Sequence, residues 1–285
     1  MNNMRIRTRA WLNSCCSILF VLTLIFFVLV DHAFARRAIP NDYLAYPILI
    51  TLKTETTFGY GCGFYLSTDR AMYLVTAKHV LAEGLLPADP ATQKFSGAEL
   101  ELLSYSTDLP IRKRILLAVN LETLQKSGDV IPHQSQDVVV VKLATKTTTN
   151  SGTARSISFL PGVTIKEFAE SGVLGVPVAA VKGFDQVAVG NDAILYGYPI
   201  SLGIPNNPQF DPVRPLLRKA LVAGRDPQKR SIILDGPAYR RNSGGPVFEI
   251  DPDGDGYKLI GIVIDRLNPG YSVVKPMDFV LELIK

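Results

Sequence analysis

Apolar residues in this chain come in short runs of four to eight, rich in Val, Ile, Leu and Tyr, with Gly, Pro, Asn, Asp or Ser between them. Runs of that length, β-branched and bounded by turn residues, fit strands and are too short for ordinary helices. The clearest is Asp137-Val138-Val139-Val140-Val141-Lys142-Leu143, a strongly β-branched strand. Pro47–Leu52, Phe64–Leu66, Ala71–Thr76, Glu99–Tyr105 and Ile111–Val119 are further candidates in the first half. Val187–Val189, Ala193–Tyr198, Ala220–Val222, Ile232–Leu234, Val247–Ile250, Leu259–Ile264 and Tyr271–Val274 follow in the second. Gly59-Tyr60-Gly61-Cys62-Gly63 reads as a bend, and Ala77–Leu81 as a helical turn. The 22 glycines and 19 prolines suit a chain with many turns.

The expected fold is therefore all-β: two six-stranded antiparallel β-barrels with a cleft between them. Barrel 1 is expected over about 44–145 and barrel 2 over about 154–275. The polar stretch Thr145–Thr153 reads as the connector between them. The region from Ile200 to Pro215 reads as a long surface loop. Met277, Phe279, Val280, Leu283 and Ile284 recur at helical spacing and predict a short C-terminal helix over 276–285.

The first 35 residues stand apart. Arg5, Arg7 and Arg9 precede an apolar run from Cys15 to Val30, and Ala33-Phe34-Ala35 offers small residues at a cleavage position. This reads as a secretory signal peptide cut before Arg36, or as an uncleaved membrane anchor. The expectation is export to the periplasm or medium, with membrane association only in the uncleaved form. Cys62 alone remains after such a cut, so the mature chain would have no internal disulfide. A core of the size that 285 residues allow can do without one. Cys62 reads as a small buried strand residue. A net charge of +4 gives no case for nucleic acid as the main partner.

Arg240-Arg241-Asn242-Ser243-Gly244-Gly245-Pro246 places a serine hydroxyl at a sharp bend, followed by an apolar strand. By itself this is a turn or a nucleophile, and a nucleophilic serine needs a base. His79 ends the Ala71–Thr76 segment, and Asp137 opens the Val-rich strand. Alone, the histidine is a locally bonded imidazole and the carboxylate a turn cap. In the order His79, Asp137, Ser243, two lie in the first half and one in the second, so all three can line one cleft.

With these motifs in place the chain resembles the trypsin-like, chymotrypsin-fold serine peptidases. The likeness rests on Val75-Thr76-Ala77-Lys78-His79-Val80, Asp137–Leu143 and Asn242-Ser243-Gly244-Gly245-Pro246-Val247. Gly61-Cys62-Gly63-Phe64 and Gly197-Tyr198-Pro199 add to it. The resemblance implies that Ser243 attacks the scissile carbonyl of a protein or peptide substrate and His79 transfers the proton. Asp137 would orient the imidazole, and no cofactor is needed. It implies an oxyanion hole from the backbone N–H groups of Arg241 and Ser243, and places Pro237, Ile264 and Asp265 near the specificity pocket.

Two positions depart from that pattern. The family has glycine where this chain has Arg241, which leaves a second reading open: a pseudoprotease that binds proteins in the same cleft without cutting them. Trypsin-type zymogens carry Asp where this chain has Asn242, and no matching N-terminus follows Arg36-Arg37. Activation by such a cut is therefore not expected. Asp251, Asp253 and Asp255 match the first half of a calcium loop, but Ile262 stands where the closing Glu belongs. The segment reads as a hairpin turn. Arg214, Arg218, Lys219, Arg225, Lys229, Arg230, Arg240 and Arg241 are either a solvated basic face or a preference for acidic substrates. Asp265 points the other way, toward basic ones.

Overall fold

The computed structural model describes residues 44–55, 58–82, 95, 97–107, 113–148, 155–168, 172–198, 200, 208–209, 211–239, 241–250, 256–267 and 270–284. The expected signal segment, the candidate calcium residues Asp251, Asp253 and Asp255, and half of the loop from 200 to 215 lie outside these. In the first half, β1 (Pro47–Lys53), β2 (Phe58–Ser67) and β3 (Ala71–Thr76) lead into α1 (Lys78–Ala82). Then come β4 (Glu99–Tyr105), β5 (Arg114–Asn120), α2 (Leu121–Lys126), β6 (Val130–Pro132) and β7 (Val139–Thr148). β8 (Arg155–Phe159), β9 (Val163–Glu167) and β10 (Val176–Pro177) follow. The second half holds β11 (Asp192–Gly197), β12 (Leu216–Asp226), β13 (Ser231–Asp235), β14 (Pro246–Ile250), β15 (Tyr257–Leu267), β16 (Tyr271–Pro276) and α3 (Asp278–Leu283).

These strands make two sheets within one compact unit, Asn41–Lys285. The second half closes as a six-stranded antiparallel barrel in the order β11-β12-β13-β16-β15-β14. The first half is a ten-stranded sheet ordered β6-β7-β3-β2-β1-β4-β5-β9, with β8 added to β7 and β10 to β2. Ile48, Ile50, Leu74, Leu100, Leu102, Leu117, Val139 and Val141 are buried together inside it. Val222, Ile232, Leu234, Val247, Ile260 and Val274 fill the barrel. Each such side chain, fully withdrawn from water, contributes about 1.5–3 kcal/mol before entropy is counted.

Four local expectations change. The stretch 59–63 is no bend: β2 runs straight through it. Its glycines serve close packing instead, since a Cβ on Gly61 would lie 2.3 Å from the Val80 side chain. Residues 145–148, expected in the connector, are strand, because β7 continues and pairs with β8 through Ala144↔Phe159 and Thr147↔Ser156. Residues 155–167, expected in the second barrel, pair with the first sheet. Val187–Val189 is no strand. It follows a 3-10 turn (Phe184–Gln186), and the Ala188 N–H is taken by the Glu249 side chain at 3.1 Å, not by a ladder.

Candidate functional site

β3 ends at Thr76, and α1 turns His79 outward within three residues. β7 is paired with β3 through Val75↔Val140 and Thr76↔Val139. The pairing brings the residues just before β7 alongside the residues just after β3. Asp137 thus meets His79 at two points: Oδ2 lies 2.6 Å from the ring Nδ1, and Oδ1 accepts the His79 backbone N–H at 3.1 Å. Burial works to raise the Asp137 pKa. The hydrogen bond from the His79 ring, its charge, its backbone N–H and the Lys78 charge outweigh that and hold the carboxyl below its ordinary value. An ionised Asp137 fixes the Nδ1–H tautomer, so Nε2 is the ring nitrogen that carries the lone pair.

Ser243 comes from the barrel, on the loop before β14. Its carbonyl accepts the Cys62 N–H at 3.0 Å, so β2 of the first sheet grips the loop. Gly244 N–H donates to Val263 at 2.7 Å and Val263 N–H to Gly245 at 3.0 Å, tying the loop to β15. Gly244 has φ 84, and a Cβ there would fall 2.1 Å from the Cys62 carbonyl and from Thr76 Oγ1. Only glycine fits.

Asn242 is fully buried. Its amide donates to the Tyr196 carbonyl at 2.9 Å, and its Oδ1 accepts the Tyr239 N–H at 3.0 Å. One amide satisfies a carbonyl and an N–H together, which a carboxylate could not do. Arg241 sits at φ 71, in the left-handed region. The Asn242 N–H closes the turn onto the Tyr239 carbonyl at 3.0 Å. For a left-handed third residue in a turn closed this way, glycine is the usual choice.

His79, Asp137, Ser243 and Arg241 line one open cleft of about 490 Å³. Ile264 and Asp265 also line it; Pro237 does not, but its neighbours Ala238 and Tyr239 do. Tyr60, Tyr239 and Arg266 on the walls were not singled out by the sequence. The Arg241 guanidinium lies 5.3 Å from the Tyr60 ring centre, and Arg218 lies 3.9 Å from that of Tyr239. The only available signal was alternation along the strand: Tyr60 is two residues from Cys62, whose backbone holds the Ser243 loop. Cys62 is buried, with its thiol pushed up to about 12 by burial. It is a structural residue, as expected. Among the described residues no group of acidic, His and Cys side chains is arranged to hold a metal.

No family model matches the chain, and no curated protein does. Among solved structures it is similar to Deg5 at 16% identity and a TM-score of 0.47, over 85% of this chain and 91% of that one. It is also similar to the protease Anisep from Arthrobacter nicotinovorans at 13% identity and a TM-score of 0.44, over 81% of this chain and 90% of that one. A third is the thermostable serine protease AL20 from an extremophilic microorganism, at 12% identity and a TM-score of 0.46, over 85% and 96% of the two chains.

Proposed function

We propose that the protein is an exported serine endopeptidase working through Ser243, His79 and Asp137. The observation that carries this is the two-point hold of Asp137 on His79, facing Ser243 across one cleft. In this reading His79 Nε2 takes the Ser243 proton as Oγ attacks the substrate carbonyl. The tetrahedral oxyanion sits on the N–H groups of Arg241 and Ser243, each worth about 3–4 kcal/mol of barrier. His79 then gives the proton to the leaving amine, and water releases the acyl group by the same route. The peptide or protein substrate lies along the cleft past Tyr60, Tyr239 and Asp265, and no cofactor takes part.

One observation favours a second reading. Arg241 occupies a backbone conformation that costs an L-residue about 1–2 kcal/mol. A loop that relaxes out of it loses a donor to the oxyanion, leaving a protein that binds peptides without cutting them. Fluorophosphonate labelling separates the two. The peptidase reading expects covalent labelling of the purified protein at neutral pH, lost in Ser243→Ala. A folded protein that takes no label at that pH is the binding module.

A further inference from the structure

The segment between β6 and β7 presents Asp137, and it is wrapped around a histidine that the mechanism does not use. His133 Nδ1 faces two backbone N–H groups, Ser135 at 3.2 Å and Gln136 at 3.1 Å. Both donate, so Nδ1 carries no proton and Nε2 carries it. Nε2 then donates to Glu282 Oε2 of α3 at 3.3 Å. The same ring stands edge-on to Phe279 of α3, centroids 5.2 Å apart. The His133 N–H donates to the Val138 carbonyl at 2.9 Å, and its carbonyl accepts Lys78 Nζ at 2.9 Å. His133 thus touches the residue before His79, the residue after Asp137, the two amides just before Asp137, and the C-terminal helix.

We propose that His133 is a positioning residue, clamping the Ser135–Asp137 segment to the C-terminal helix so that Asp137 keeps its two-point hold on His79. The proposal rests on the catalytic reading of that pair for its effect on rate, but not for its effect on structure. The imidazole gives the loop a lone pair on one side and a donor for Glu282 on the other. No apolar side chain of that size supplies either.

The test uses the mature protein and compares it with His133→Ala, His133→Asn and Glu282→Gln. Asparagine keeps a side-chain oxygen able to accept nearby backbone N–H groups and cannot be protonated. Amide exchange at Ser135 and Gln136 and the imidazole titration of His79 are followed by NMR, and fluorophosphonate labelling of Ser243 by its rate. His133→Ala is expected to speed exchange at both amides by about ten-fold, as two released hydrogen bonds imply. It should lower the His79 pKa, because Asp137 no longer holds the imidazolium, and slow labelling by about ten-fold. His133→Asn should restore exchange and labelling to within about two-fold of the parent. Glu282→Gln, which keeps an acceptor for Nε2–H, should leave exchange at the two amides within about two-fold of the parent. Protected amides with an unmoved His79 titration in His133→Ala overturn the clamp, as does an asparagine variant no better than alanine. A parent protein that takes no label overturns the peptidase reading instead, while exchange and the His79 titration still decide the clamp.

Discussion

Arg241 is the residue on which the proposed oxyanion hole turns. Its φ of 71 lies in the left-handed region, which glycine reaches without the Cβ clash that an arginine meets. The chain compensates in part by laying the guanidinium 5.3 Å from the Tyr60 ring, a contact worth about 0.5–1 kcal/mol at an exposed site. Arg241→Gly should therefore populate the donor-bearing turn more fully and raise the fluorophosphonate labelling rate by up to about five-fold, since about 1 kcal/mol of strain is removed. A lower rate would mean that the arginine holds the cleft wall in place. The sequence shows that this position matters, because arginine interrupts an otherwise familiar Ser-Gly-Gly-Pro stretch. It does not show the sign of φ, which is set by Asn242 on one side and Tyr239 on the other.

Among the elements, those with alternating or β-branched apolar residues were legible to within a few residues. β1, β3, β4, β14 and α3 lie close to where the sequence puts them, because burial along most of each strand dictates a near-continuous apolar run and the helix keeps its apolar spacing. β8 and β9 were not legible: Val163–Glu167 is largely exposed, and an edge strand with little core contact leaves no periodicity to read. The glycines of β2 misled for the opposite reason, being required by close neighbours in space and not by a local turn. Nor could any pattern announce the polar cluster that braces β14. Glu249 there is fully buried, with Lys182 Nζ at 2.7 Å, Asn191 Nδ2 at 2.7 Å and the Ala188 N–H at 3.1 Å. Lys182→Met leaves that carboxylate without its counter-charge inside the barrel wall. The expected loss is about 3 kcal/mol in urea unfolding. Lys182→Met/Glu249→Leu should recover most of it, since the buried charge goes with its partner.

At the scale of the whole molecule, the His79–Asp137 pair couples stability to pH. The folded-state pKa of Asp137 lies below its ordinary value of 3.8. Its contribution is thus complete above that value and lost as pH falls through the lower, folded one. Asp137→Asn should narrow the gap in urea midpoint between pH 6 and pH 3. An unchanged gap would place the acid sensitivity elsewhere.

The triad candidates were legible because each carries its motif locally. Their meeting at one cleft was expected from their order; the bonds that fasten the serine loop were not, because they depend on two sheets that the sequence lists one after the other. The Cys62 N–H that holds the Ser243 carbonyl belongs to the first sheet, and so does Thr76, which bonds the Cys62 carbonyl at 2.7 Å. Tyr198, just after β11, sends its hydroxyl to the Pro47 carbonyl at 2.8 Å. The Ser243 loop is therefore finished by the half of the chain made first. A barrel made without that half lacks the Cys62 N–H that holds the Ser243 carbonyl, and carries an unfinished serine loop.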